Sequence, residues 1–143
     1  VIALDTNILL YAHRADSEHH QAALACVTAA AEGPSRWAIP WPCVHEFVAI
    51  ATHPRIWDPP SSLDETIDQI EAWMESPTLV LLGEVDGYWP VLRSLLGKGK
   101  VAGPKIHDAR IAAICVQHGV TELLSADRDF SRFPTLSTRN PLV

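Results

Sequence analysis

Cysteine is scarce in this sequence: Cys26, Cys43 and Cys115 are the only three, and no C-x-x-C pair occurs. A zinc knuckle needs such pairs and a disulfide framework needs an even, patterned set. Both are therefore excluded, and buried reduced thiols are expected. Long apolar runs are missing too, none approaching the ~18 residues that cross a bilayer. No basic-then-apolar leader with a cleavage site opens the chain, which points to a cytoplasmic location. Val rather than Met stands first, which points to a short missing start. Linkers, internal repeats and low-complexity segments are absent, and 143 residues suit a single domain spanning 1–143.

Basic residues are few. Eleven Lys and Arg stand against seventeen Asp and Glu, a net charge of −6. That number alone disfavours a nucleic-acid partner, but the charge is segregated. Residues 58–86 hold eight acids and no Lys or Arg, while all three lysines, Lys98, Lys100 and Lys105, fall within eight positions.

Several short apolar runs alternate with helical patterns. Residues 1–4, 37–39, 79–82 and 123–126 read as buried strands, with a possible fifth at 136–138. Helices are expected at 8–13, 18–32, 42–52, 62–75, 86–96 and 106–118. Their stops and starts are Gly33-Pro34, the Ser62/Glu65 capping box, His53-Pro54 and Gly119. Residues 97–104 read as a loop. In the helix after Ser62, the stripe Leu63, Ile67, Ile70 and Met74 is expected to face the core. Strands alternating with helices imply an α/β fold, a three-layer sandwich whose mostly parallel sheet of four to five strands is covered on both faces.

Four carboxylates stand where an ordinary structural role does not fully account for them. Asp5 and Asp127 each follow an apolar strand, and in a parallel sheet the carboxyl ends of strands face the binding crevice. A helix-capping role is the plainer alternative for each. Asp108 opens the 106–118 helix. On a wheel at ~100° per residue it falls inside the apolar arc, between Ala112 and Cys115. A carboxylate there is costly unless a cation or strong donors answer it, although the first helical turn also favours an anion. Glu46 sits at the edge of the apolar stripe of the 42–52 helix, where an ordinary boundary glutamate is equally natural.

Four converging carboxylates would repel one another, and a divalent ion is the physical resolution. An all-oxygen donor set selects hard ions, Mg²⁺ or Mn²⁺, which suit phosphate-ester chemistry. Lys98, Lys100 and Lys105 precede the Asp108 helix, and Arg128 and Arg132 follow Asp127. They are candidate contacts for RNA phosphates, with a solvated loop as the alternative. Trp37, Trp41, Trp57, Trp73 and Trp89 offer stacking surfaces for bases, but core packing is expected for most. His45-Glu46 lacks the second histidine of a zinc protease, and residues 97–105 fit no phosphate-binding G-x-x-x-x-G-K-[ST] loop.

The run Leu4-Asp5-Thr6-Asn7, the mid-chain Glu46, the run Ile106-His107-Asp108-Ala109-Arg110-Ile111-Ala112-Ala113, and Ser125-Ala126-Asp127-Arg128-Asp129-Phe130 together resemble a PIN-domain ribonuclease of the VapC toxin type. Asn140-Pro141-Leu142 resembles the tail of such toxins. The resemblance implies that Asp5, Glu46, Asp108 and Asp127 bind metal, that Asp129 can share the role of Asp127, and that the Thr6 hydroxyl helps order the site. It also implies a PIN-like α/β/α fold and a homodimer. Its RNA cleavage would leave 5′-phosphate and 3′-hydroxyl ends, and a VapB-type antitoxin would lay a basic segment across the acids. Two other readings stay open on the residues alone. One is a metal-dependent phosphatase or receiver-like protein, which needs a phosphoacceptor Asp with a supporting lysine at a strand end. The other is a non-catalytic PIN-like interaction module.

Overall fold

A computed structural model describes all residues, 1–143. Five parallel strands form one sheet in the order β3-β2-β1-β4-β5. They are β1 (Ile2–Leu4), β2 (Trp37–Pro40), β3 (Leu79–Leu82), β4 (Glu122–Leu124) and β5 (Thr138–Arg139). Six helices connect them: α1 (Thr6–His13), α2 (His20–Glu32), α3 (Trp41–Ala51), α4 (Leu63–Met74), α5 (Tyr88–Gly99) and α6 (Ile106–Gln117). Parallel strands need crossover connections, and helices supply them, which is why the alternation in the sequence carries over into the architecture. β1 lies at the centre, with Ala3 opposite Ala38 of β2 and Leu123 of β4. The sheet is thus the α/β arrangement expected, with a fifth strand present.

Central strands are buried on both faces. Ala3, Leu4, Trp37, Ala38, Leu123 and Leu124 all lie inside one core with Ile8, Leu9, Phe47, Ile111 and Ile114. Burying a Leu or Phe side chain contributes about 1.5–3 kcal/mol. Ala109, Ala112 and Ala113 let α6 pack closely on the layer beneath. Cys43 and Cys115 are buried free thiols and Cys26 is half-buried, as the missing cysteine patterns implied.

Four expectations are corrected. First, α5 begins at Tyr88 rather than 86, because Gly87 takes a left-handed φ of 86° that no helix admits. It also runs on through Lys98 to Gly99, into the expected loop. Gly99 is required there: a Cβ would come within 2.9 Å of the Phe133 ring. Second, the last strand is Thr138–Arg139, not 136–138, since Leu136 turns into the core instead. Third, α2 starts at His20, after a turn in which Ser17 Oγ accepts the His19 N–H at 3.1 Å.

The fourth correction concerns α4. Its capping box is present, with Ser62 Oγ accepting from Glu65 N–H and Glu65 Oε1 accepting from Ser62 N–H, each at 3.0 Å. Yet Leu63, Ile67 and Met74 are exposed, and the inward positions are Thr66, Ile70 and Trp73. The period is helical but the phase is rotated. Trp73 sets it by packing edge-on against Phe47, ring centroids 4.9 Å apart. Thr66 tolerates burial because its hydroxyl donates to the Leu63 carbonyl at 2.7 Å.

Phe47 also meets His13 edge-on at 5.1 Å. Phe47→Ala is expected to cost about 3–5 kcal/mol in denaturant unfolding. Ile67→Ser, on the outward face of α4, is expected to stay within about 0.5 kcal/mol of wild type. The reverse order would mean that the helix packs in the phase its leucine and isoleucine suggest.

Candidate functional site

β1 and β4 are neighbours, so the residues that follow them emerge side by side at the carboxyl edge of the sheet. Asp5 follows β1, and its backbone N–H still donates to the Leu124 carbonyl at 3.0 Å. Asp5 then caps α1, its Oδ1 accepting from Thr6 N–H at 2.8 Å. Its Oδ2 accepts the Ser125 hydroxyl at 2.6 Å. The Cys43 thiol lies 3.6 Å from Oδ1. The capping role and the crevice position, alternatives in the sequence, are therefore both fulfilled by one side chain.

Ser125 was not among the residues expected to matter, and it organises the corner. Having given its single proton to Asp5, its oxygen accepts from Asp127 N–H at 3.0 Å and from Asn7 Nδ2 at 3.4 Å. Asn7 Oδ1 in turn accepts from Ala126 N–H at 3.2 Å. Asp127 then folds back on its own turn, its Oδ1 accepting from Asp129 N–H at 2.8 Å. The sequence signal for Ser125 and Asn7 is a small polar residue two positions from an acid that ends an apolar strand.

Helices bring the other acids. The Thr6 hydroxyl donates to Glu46 Oε2 at 2.8 Å, which links α1 to α3 beside Asp5. Asp108, in the first turn of α6, is half-buried, as its place in the apolar arc implied. Oxygens of Asp108, Asp127 and Asp129 lie within 4.8 Å of one another, a spacing at which three carboxylates can share one ion. Asp129 takes part directly. Asp5 and Glu46 lie outside that close group, but the charges of Glu46 and Asp108 reach Asp5 and that of Glu46 reaches Asp108. Of the five expected acids, Asp108, Asp127 and Asp129 come to ligand spacing, while Asp5 and Glu46 are joined to them through charge and through the Ser125 and Thr6 hydrogen bonds.

The electrostatics match. Burial pushes the Asp5 carboxyl from its ordinary 3.8 up to about 6, against the pull of its Ser125 and Thr6 hydrogen bonds, and Glu46 and Asp108 push the same way. Asp108 is also raised, first by burial and then by the charge of Asp127, with Lys105 opposing. Carboxylates held close at a cost in repulsion fit a divalent cation, and all-oxygen donors suit a hard one.

The predicted basic rim is only partly free. Lys105 pairs with Asp129. Arg132 Nη1 donates to the Gly99 carbonyl at 3.3 Å, at the end of α5, while the residue itself stays exposed. Lys98 points from the outer face of α5 beside Arg93 and Ser94. Lys100, in the left-handed conformation that ends α5, and Arg128 are exposed and carry no ion pair.

The PIN-domain family profile matches residues 2–136. Ribonuclease VapC43 of Mycobacterium tuberculosis is 30% identical over 142 residues, covering 99% of this chain and 96% of that protein. Among solved structures, VapBC2 from Rickettsia felis, bound to a DNA fragment from its promoter, superposes with a TM-score of 0.67. It has 19% identity and covers 97% of each chain. VapC20 of M. tuberculosis, a toxin that cleaves the sarcin-ricin loop, also gives 0.67, at 14% identity, over 92% of this chain and 93% of that one.

The Asp5 shift fixes a pH dependence in the absence of divalent ions. Folded Asp5 holds its proton up to about pH 6, whereas an unfolded aspartate loses it near 3.8. Stability attributable to this group is therefore present below that window and lost as pH rises through it, by about 3 kcal/mol. Urea unfolding with a chelator at pH 4.5 and pH 7.5 is expected to show a larger decline for wild type than for Asp5→Asn. Equal declines would mean that Asp5 ionises in the folded chain as freely as in water.

Proposed function

The chain belongs to the PIN-domain family, and from that premise we propose that it is an endoribonuclease, the toxin of a toxin–antitoxin pair, working with Mg²⁺ or Mn²⁺. The observation that carries this is the meeting of Asp108, Asp127 and Asp129 within 4.8 Å, beside Asp5 and Glu46. The relatives named ribonucleases support RNA as the substrate. In this reading Asp108, Asp127 and Asp129 hold the ion, with Asp5 and Glu46 completing the acidic floor. A divalent ion bound there supplies Lewis acidity, both to an attacking water and to the phosphoryl oxygens that gain charge during hydrolysis.

The protein's own groups do the rest. Ser125 and the Thr6 N–H hold Asp5 in one rotamer, and the Thr6 hydroxyl holds Glu46. Such fixed acceptors orient water and ion without reorganising during the reaction. Glu46 keeps its second oxygen free to accept from water. Lys105 faces the acids from the start of α6, while Lys100 and Arg128 offer charge to the RNA backbone. These lysines precede a helix, whereas a phosphoacceptor site needs one at a strand end, which favours the nuclease over the receiver-like reading. All acids are present, which favours it over a non-catalytic module.

Partners and location follow from the same reading. A VapB-type antitoxin blocks the site by laying a basic segment across the acids, the chemistry that a cluster of negative charge selects. The solved VapBC complex supports such a partner. A homodimer in the cytoplasm, where RNA is met, completes the proposal. No helix is long and apolar enough to cross a membrane.

Asp108→Asn and Asp127→Asn are expected to fold normally and to cleave RNA at less than about 1% of the wild-type rate, a larger loss than the ~10–100-fold that follows removal of an outer partner. Thr6→Val removes such a partner and is expected to fall inside that ~10–100-fold range in Mn²⁺ affinity by calorimetry. Chelator should abolish cleavage of total cellular RNA, and the mapped 5′ ends should carry phosphate. Undiminished cleavage in chelator, or by Asp108→Asn, would remove the metal mechanism.

A further inference from the structure

The three lysines lie close together in the chain, and the fold gives them different surroundings. Lys98 and Lys100, at the end of α5, are exposed and carry no ion pair. Lys105 does pair with an acid. It closes one tight turn, Gly103–Lys105, and immediately precedes α6. Pro104 fixes φ inside that turn. Asp108 follows three positions later, the spacing at which side chains on a helical path become neighbours.

The Lys105 ammonium pairs with Asp129, whose carboxylate comes within 4.8 Å of those of Asp108 and Asp127. Its charge also reaches Asp108, where it opposes burial and the charge of Asp127, and does so more strongly than His107. A cation belonging to the chain thus stands at the three carboxylates that come to ligand spacing. Its hold there is light. The Lys105 side chain is 45% exposed, and Asp129 is its one partner. Asp129 is fixed through its backbone, whose N–H donates to Asp127 Oδ1 at 2.8 Å, and its carboxylate is left to Lys105. Arg14 is the contrast: its guanidinium is tied to Asp16, to the Ser61 hydroxyl and to the Pro59 carbonyl together. Half-exposed pairs with a single contact are weak. An ammonium on a flexible four-carbon stem can also swing away without disturbing the backbone.

We propose that Lys105 is a tethered competitor of the divalent ion: it occupies Asp129 until the ion displaces it, and so sets the affinity of the site for metal. This rests on the reading that Asp108, Asp127 and Asp129 hold the ion. A singly charged ammonium answers one carboxylate, whereas a doubly charged ion answers all three, so the ion prevails once its concentration is high enough. If Asp129 is free of Lys105 for about a tenth of the time, metal binds about 10-fold more weakly than it would to an open site. The coupling is reciprocal, so a bound ion loosens the Lys105 pair by the same factor. The lysine thereby keeps the acids partly neutralised at low metal concentration and leaves them when metal arrives.

The test uses the full chain and metal alone. Calorimetry with Mn²⁺ is expected to show Lys105→Met binding about 10-fold more tightly than wild type, Lys105→Arg no more tightly, and Lys98→Met within about twofold. In the Asp129→Asn background Lys105→Met should add less than about twofold, because the contested carboxylate is gone. Heteronuclear NMR follows the ammonium itself, and three lysines keep the spectrum simple. Titration with diamagnetic Mg²⁺ should move the Lys105 signal to where Lys98 and Lys100 resonate, in step with ion binding. A Lys105 signal that stays in place while Mg²⁺ binds would mean that both cations share Asp129, and it overturns the proposal. So does an unchanged Mn²⁺ affinity in Lys105→Met, or an equal gain in the Asp129→Asn background, which assigns the effect to net charge alone. If Asp108→Asn and Asp127→Asn bind Mn²⁺ as tightly as wild type, the ion sits elsewhere: the metal reading has then failed, and the proposal falls with it.

Discussion

The hydrogen bond from Ser125 to Asp5, 2.6 Å long and inside the protein, is the join on which the rest depends. It spans two neighbouring strands, and it settles the rotamer of an acid that burial would otherwise drive toward its neutral form. The same serine oxygen receives the N–H of Asp127, so the two strand-end carboxylates are positioned by one atom. A hydroxyl is suited to this, because it has one proton to give and two lone pairs to receive. An alanine at this position would leave the Asp5 carboxylate buried without its donor and the Asp127 turn without its acceptor.

Concentrating acids in this way works against folding, and the surrounding architecture limits the cost. Asp108 lies in the first turn of α6, where the helix dipole favours negative charge. Lys105, one turn earlier, places a cation on Asp129. Backbone N–H groups of Thr6 and Asp129 supply further donors to Asp5 and Asp127. Asp5 and Asp108 still hold protons more tightly than free aspartates, first because they are buried and then because neighbouring carboxylates repel them.

Much of this was legible in the residues. Asp5 and Asp127 could be placed together because a parallel sheet gathers the residues after its strands at one edge. Asp108 could be singled out because a charged side chain in an apolar arc contradicts its surroundings. The network that joins them was not legible: Ser125 and Asn7 are ordinary turn residues until β1 and β4 are known to be neighbours. The phase of α4 was misread because Leu63, Ile67, Ile70 and Met74 repeat as faithfully as Thr66, Ile70 and Trp73 do, with Ile70 common to both sets. Which set turns inward depends on the shape of Phe47, far away in sequence. Local composition likewise could not tell that Arg132 would reach the Gly99 carbonyl or that α5 would run on through Lys98.

The two-residue strand β5 has a role out of proportion to its length. Leu123 and Ser125 donate their backbone N–H groups to the carbonyls of Ser137 and Arg139, at 2.8 and 2.9 Å. With residues 137–139 in place, β4 is an inner strand, and the outermost position is held by an arginine paired with Glu122 at 3.1 Å. A charged, very short border strand is a poor template for further pairing. Proteolytic loss of this tail would turn β4, apolar and ending beside the acids, into a bare rim open to strands from other molecules. Residues 137–139 thus guard against aggregation as well as bracing the acidic corner.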